Sequence, residues 1–163
     1  MRVGFGFDAH RFGGTWPVRL GGVVIDSVRL VEATSDGDVA CHAVVDSLFG
    51  AAGLGDLGTH YPSTDERWHG VSSLDLVRDA VAKLSESGWL VSQVDVTVIA
   101  QSVKVAPHRE AIRAGLAGAL NLDPAEVSVK ATSTDFMGSI GRDEGLAAAA
   151  VAVIGRADEE PGF

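Results

Sequence analysis

The sequence predicts an α+β fold, an α/β sandwich whose mixed β-sheet carries its helices on one face. Three observations point there. Segments with a helical apolar period alternate with segments rich in β-branched residues along 163 residues. No internal repeat or long linker interrupts them, and the five prolines are scattered. The composition, 46% hydrophobic and 21% charged, supplies a core and argues against a mainly disordered chain. That length suits one domain, expected over residues 1–163.

The elements follow in order. Arg2 to Phe7 reads as an opening strand whose two glycines imply close backbone approach. Val18 to Leu30 carries β-branched residues around Gly21-Gly22, a strand, turn and strand. Val39 to Ala52 turns helical, with Val44, Val45, Leu48 and Phe49 at helical spacing and Gly53 as a stop. Gly55 to Gly70 is polar and glycine-containing, and is expected to be a loop of functional length. Ser72, with Asp75 three residues on, caps a helix with Leu74, Val77, Val81 and Leu84 as its apolar stripe and Gly88 as its end. Val94, Val96, Val98 and Ala100 alternate with Asp95, Thr97 and Ile99 in a strand with one buried face. Pro107 fits the first turn of a helix cored by Ile112, Leu116 and Leu120. Val127 to Thr132 is a strand. Leu146 to Ile154 combines alanines with Val151, Val153 and Ile154, and its brevity between Gly145 and Gly155 favours a strand. If the second sheet face is also apolar it needs a partner subunit, and Val94 to Val98 with Leu146 to Ile154 are the expected source of that surface.

Charge narrows the function classes. Thirteen Lys and Arg against 22 Asp and Glu give a net charge of −9. Such a chain offers no broad surface for nucleic acid or an anionic membrane, although a local site holding a metal can still take an anionic small molecule. Cys41 is the only cysteine, which removes disulfide scaffolds and Cys-rich zinc sites. The N-terminus lacks a signal-type apolar core, and the run Gly145 to Gly155 is about half the length needed to span a bilayer. A cytoplasmic protein is expected.

Two motifs fall away on context. Gly53-Leu-Gly55-Asp-Leu-Gly58 matches a dinucleotide fingerprint as text, but follows a helix where that fingerprint needs a strand. Asp36-Gly-Asp38 opens like a calcium loop, yet Ser47 stands where the closing glutamate belongs.

Asp8-Ala-His10 remains. Two residues apart in extended backbone, a carboxylate and an imidazole leave on one face and supply most of a site for a borderline metal. Taken alone, the pair reads equally well as a strand-end cap beside an exposed histidine. His42 shifts the balance. It sits one turn into a helix, off the Val44/Leu48 stripe, with Asp46 at i+4 placed to accept its second ring proton. Two imidazoles and a carboxylate leave a fourth tetrahedral position open and fit zinc better than magnesium. Farther on, Lys130-Ala-Thr-Ser-Thr-Asp135 follows a strand, and is either a polyphosphate grip or a hydroxyl-rich turn.

The whole pattern resembles the 2-C-methyl-D-erythritol 2,4-cyclodiphosphate synthase family. Gly6-Phe-Asp8-Ala-His10, Ser35-Asp-Gly-Asp-Val-Ala-Cys-His42, Gly53-Leu-Gly-Asp56-Leu-Gly58, Lys130-Ala-Thr-Ser-Thr and Gly141-Arg-Asp-Glu-Gly145 are collinear with that family's motifs. The resemblance implies a homotrimer with active sites between subunits. It implies zinc (or manganese) on Asp8, His10 and His42, and magnesium (or manganese) on Asp135 with the substrate's diphosphate. Ser35, Asp56, Leu57, Gly58, Tyr61, Ser63, Thr64 and Asp65 would line the sugar-phosphate side. Ala100, Gln101, Ser102, Val103, Lys104, Val105 and Ala106, with Ala131, Thr132 and Ser133, would surround a cytidine diphosphate from the neighbouring subunit. Thr34 and Thr134 occupy the positions given catalytic roles, and Arg142 faces a trimer axis associated with an isoprenoid-diphosphate-like ligand. The implied reaction is an intramolecular phosphate attack releasing cytidine monophosphate.

The chain departs from that pattern at several points. Thr34 replaces a usual His and cannot carry its charge. Ser63 replaces an Asp, Val103 a Pro, Asp135 a Glu, and Ser139 an aromatic or apolar cavity residue. The rival expectations are a weakly active relative that binds cytidine nucleotides or isoprenoid diphosphates, and a zinc-stabilised structural trimer.

Overall fold

Glycines 4 and 6 decide how the first strand meets the first helix. A Cβ on Gly4 would stand 1.9 Å from the Ser47 carbonyl oxygen, and one on Gly6 would stand 2.0 Å from that of Ala43. The computed structural model, which describes residues 1–157, therefore lays helix α1 (Val39–Ala52) backbone to backbone on strand β1 (Arg2–Leu20). The last six residues of the expected domain lie outside the described residues. The close approach read from the two glycines is what the structure contains.

β1 runs well past the expected Phe7. Its first half pairs antiparallel with β5 (Gly145–Arg156), from Arg2↔Ile154 to Arg11↔Gly145. Its second half leaves the main sheet and forms a bulged hairpin with β2 (Val23–Val31) across Gly21 and Gly22. Beyond α1 come the short α2 (Leu57–His60), α3 (Ser73–Glu86), β3 (Trp89–Ile99), α4 (Arg109–Leu120), β4 (Val127–Thr132) and the short α5 (Gly138–Gly141). The sheet order is β2-β1-β5-β3-β4, with β3 and β4 parallel through the α4 crossover and the remaining pairs antiparallel. This is the expected mixed sheet with its helices on one face.

Alternation sorts the strands. Val94, Val96 and Val98 of β3 and Ala148, Ala150 and Ala152 of β5 are buried beneath the helices with Ile112, Leu116 and Leu120. Outward-facing Val3, Phe5, Phe7 and Val151 remain exposed, Phe5 at 66%. The expected source of the second apolar face therefore needs correcting. The β3 valines serve the core, and β1 builds most of the outward patch because its small residues must face α1 and its large ones cannot.

α1 begins at Asp38, whose carboxylate accepts from the Cys41 amide at 3.1 Å and from the Gly22 amide of the hairpin at 2.7 Å. It ends at Gly53, left-handed at φ 73°. Two expectations about the following segment fail in part. The expected loop 55–70 holds α2 and a 3₁₀ turn (Glu66–Trp68), and is pinned by Gly70 N–H to the Thr34 carbonyl at 3.0 Å. Ser72 precedes α3, but its side chain makes no capping bond; the Asp75 amide donates to the Ser72 carbonyl instead. The α3 core line is Leu76, Val77, Ala80 and Leu84, so the buried face is rotated away from Leu74 and Val81. No helix among the described residues is long and apolar enough to cross a membrane.

Gly6→Ala drives a methyl group into a helix carbonyl that cannot yield without moving α1, and is expected to cost about 3 kcal/mol or more. Gly50→Ala on the same helix meets only the Phe5 carbonyl oxygen at 3.9 Å, and is expected to gain about 0.5–1 kcal/mol. Urea unfolding of the two variants checks both; equal stability for Gly6→Ala and wild type contradicts the packing described.

Candidate metal centre

Extended backbone sends Asp8 and His10 to the α1 side of β1, and the glycine contact brings the first turns of α1 over them. His42 Nδ1 stands 2.9 Å from Asp8 Oδ2 and 3.2 Å from His10 Nε2, and His10 Nε2 stands 3.0 Å from Asp8 Oδ2. These residues form a group able to hold a metal ion among the described residues. The donor set fits zinc. Nitrogen and oxygen ligands at zinc bond lengths in a tetrahedron lie about 3.3 Å from one another, close to the three separations found. Burial works to raise the Asp8 carboxyl, but its hydrogen-bond and charge interactions with the His10 and His42 rings outweigh that and hold it well below the usual carboxylate range.

His42 is 7% exposed, and its other nitrogen, Nε2, meets Ser35 Oγ at 2.9 Å and Ser73 Oγ at 3.0 Å. This corrects the role expected of Asp46. Its Oδ1 accepts from the Leu57 amide at 2.7 Å, so it positions the start of α2 rather than the histidine ring. An i+4 spacing gives proximity, but the ring is turned toward β1 and α3.

The pocket over the three ligands is lined also by Thr34, Ser35, Leu57, Tyr61, Ser63, Trp68 and Leu76. No Lys or Arg is among these residues. Tyr61 donates to Asp79 Oδ2 at 2.7 Å and packs edge-on to Trp68, whose indole N–H is buried without a hydrogen-bond partner among the described residues. Asp56 caps α2, its Oδ1 accepting from the Thr59 amide and hydroxyl. Asp65 binds Arg67. Asp56, Gly58, Thr64 and Asp65 are absent from the pocket lining.

The other half of the expected site lies elsewhere. Ala100, Gln101, Val103, Lys104, Val105 and Ala106 with Ala131, Thr132 and Ser133 line a separate cavity beyond the ends of β3 and β4. That lining shares no residue with the metal pocket. Ser102 is turned away and donates to Asp143 at 2.5 Å, and the Thr134 hydroxyl donates to the Met137 carbonyl. Asp135 is exposed with a left-handed backbone at φ 54°. Lys130 pairs with Asp95 on the outward sheet face, so it belongs to neither cavity. Arg142 is paired with Glu144, which lines a third cavity with Phe7, Arg11, Ser139 and Ile140. The sequence reading missed Ser73, Trp68 and Leu76. Ser73 sat beside a cap signal, and Trp68 and Leu76 carried no motif.

Comparison with known proteins follows the same outline. A family model described as the YgbB family matches residues 1–155. A 2-C-methyl-D-erythritol 2,4-cyclodiphosphate synthase from Symbiobacterium thermophilum is 49% identical over 94% of this chain and 98% of its own. The bifunctional IspDF of Campylobacter jejuni superposes with a TM-score of 0.91 at 39% identity, over 95% of this chain and 42% of that one. IspF of Plasmodium falciparum, solved as a CDP complex, gives a TM-score of 0.82 at 31% identity over 95% of this chain and 96% of that one. The chain thus spans about two fifths of its bifunctional relatives and nearly all of the single-function ones.

His42→Ala is expected to abolish stoichiometric zinc binding while the helical circular dichroism persists, since one of three ligands is lost and the Val44/Leu48 packing is not. Asp46→Asn is expected to leave zinc affinity close to wild type. Metal analysis of the purified variants reads both, and full zinc in His42→Ala contradicts the ligand assignment.

Proposed function

The chain belongs to the YgbB family, and from that membership we propose that it converts 4-diphosphocytidyl-2-C-methyl-D-erythritol 2-phosphate into 2-C-methyl-D-erythritol 2,4-cyclodiphosphate and cytidine monophosphate. The observation that carries this reading is the convergence of Asp8, His10 and His42 on one point at the floor of a pocket. A bound cation there supplies Lewis-acid stabilisation of phosphate charge. The residues around it bind and orient. The Ser35 hydroxyl donates to a phosphate oxygen beside the ligands, Leu57 and Tyr61 close the sugar side, and Trp68 excludes water. The substrate's 2-phosphate is already ionised, so no side-chain base is needed. The protein's contribution is to fold the substrate so that this phosphate meets the β-phosphorus.

The cytidine half of the substrate belongs in the second cavity, contributed by a neighbouring copy in a homotrimer. The disjoint linings support this, as does the outward patch of Val3, Phe5, Phe7 and Val151, which is apolar enough to require a cover. In that assembly Lys104 brings positive charge to the diphosphate, Asp135 holds magnesium, and Thr134 stands near the transferring phosphate. The third cavity, with Arg142 at its edge, faces the trimer axis and takes an isoprenoid diphosphate. The acidic surface leaves nucleic acid and anionic membranes outside its range of partners, in keeping with a cytoplasmic enzyme. Light scattering at micromolar concentration is expected to give three times the 16.9 kDa chain mass; a stable monomer overturns both the trimer and the shared site.

Thr34 tests the missing charge. Arg11 is exposed and pairs with Glu32, and Lys104 lines the other cavity, so neither replaces a cation in the metal pocket of the same chain. Thr34→His is expected to raise cytidine monophosphate release, most below about pH 7 where imidazole is charged. The assay is run with zinc and magnesium saturating. Equal or lower turnover across about pH 6–8 rejects the missing-donor account. No release from either protein, with cytidine diphosphate still bound, replaces the enzyme by a binding protein.

A further inference from the structure

We propose that Ser73 and Asp36 are positioning residues for the metal centre. In this reading a buried relay from the Asp36 carboxylate through the Ser73 hydroxyl fixes the His42 ring with its proton on Nε2 and its Nδ1 lone pair on the cation. The proposal rests on the assignment of Asp8, His10 and His42 as metal ligands.

Two hydroxyls reach His42 Nε2, and they are not equivalent. Ser73 is fully buried, and its proton already has an acceptor: Oγ donates to Asp36 Oδ1 at 2.5 Å, while its amide donates to Asp36 Oδ2 at 3.1 Å. A hydroxyl whose hydrogen is committed can only accept at its remaining lone pairs, so it requires an N–H at His42 Nε2. A neutral imidazole protonated at Nε2 carries its lone pair on Nδ1, the atom that faces Asp8 and His10. Among the described residues Ser35 has no carboxylate acceptor. Its oxygen lies near the Gly37 amide and Ser73 Oγ, each at 3.5 Å, and the residue lines the pocket. The Ser35 hydrogen is therefore free to turn to an anion in the pocket while Ser73 holds the ring.

Asp36 is itself immobilised. Its Oδ1 accepts from the Asp38 amide at 3.3 Å, its Oδ2 faces Arg19 Nε at 3.9 Å, and its amide donates to the Val71 carbonyl at 3.2 Å. The relay joins a ligand on α1 to the first residue of α3 and, through Val71, to the chain just past the 55–70 segment. Outer partners of this kind tune metal affinity by about 10–100-fold.

The test is zinc dissociation measured by competition with a chromophoric chelator, together with the ¹⁵N shifts of the His42 ring in metal-free protein, read across a pH series to assign the tautomer. Ser73→Ala is expected to weaken zinc about 10–100-fold and to leave a mixture of ring tautomers, whereas Ser35→Ala changes zinc affinity by less than about threefold. Asp36→Asn is expected to follow Ser73→Ala. A purely structural role would lower the melting temperature without moving the tautomer. Wild type that binds no zinc overturns the ligand assignment itself. Wild type that binds zinc, with Ser73→Ala matching it in affinity and tautomer, overturns the relay. A proton found on Nδ1 of the wild-type ring overturns it with no variant at all, so a failure of Asp36→Asn to fold does not spare the proposal.

Discussion

The direct seating of α1 on β1 is the constraint on which the rest depends. With no Cβ at Gly4 or Gly6, the carbonyls of Ala43 and Ser47 rest against strand backbone, and the helix axis has no side-chain layer in which to drift. His42 immediately precedes Ala43, and Asp8 lies two residues beyond Gly6. The same contact that packs the core therefore sets the separation between ligands 32 and 34 residues apart in sequence. A conventional layer of Val or Leu would push the helix outward and open the donor triangle. Core packing and metal geometry are one requirement here.

Around that seat the chain buries an unusual amount of polar matter. Ser35, Asp36, Asp38, His42, Ser47 and Ser73 are all buried. Each has partners: Asp38 ties the hairpin amide of Gly22 to the start of α1, Ser47 donates to the Val44 carbonyl, and Asp36 and Ser73 are bound twice to each other. Buried polar groups tolerated on these terms specify one arrangement, because any shift leaves several of them unsatisfied together. Burial nonetheless pushes the Asp38 carboxyl up, with Asp36 nearby adding to the effect.

Much of this was legible in the sequence. The α1 boundaries, the β4 strand, the Ile112/Leu116/Leu120 line and the strand at Leu146 to Ile154 emerge from period and glycine punctuation alone. The metal triad follows from Asp8-Ala-His10 once His42 is noticed. What failed depended on rotation and on distance in the chain. Asp46 is correctly spaced from His42, yet the ring turns toward a serine 31 residues away, which no local pattern encodes. The buried face of α3 is offset because α1 and α4, not helical period, choose which stripe is covered. The valine alternation of β3 and β5 suggests an outward apolar patch there, but the glycine alternation of β1 already determines that its phenylalanines point away.

The position of β5 has a consequence for biosynthesis. It is the last strand of the sheet in chain order, and it inserts between β1 and β3, joining the hairpin half to the β3-α4-β4 half. Until it arrives, β1 presents an unpaired edge along the stretch that carries Asp8 and His10, and the two halves share no ladder. The phenylalanine-bearing strand is closed only by a pairing that joins Arg2 to Ile154 and Arg11 to Gly145, far apart in the chain. Such a pairing is slow to find and easily satisfied by another chain in the wrong register. The hazard for this fold is therefore concentrated in the interval before β5 pairs, when chaperones that shield strand edges have the most to protect.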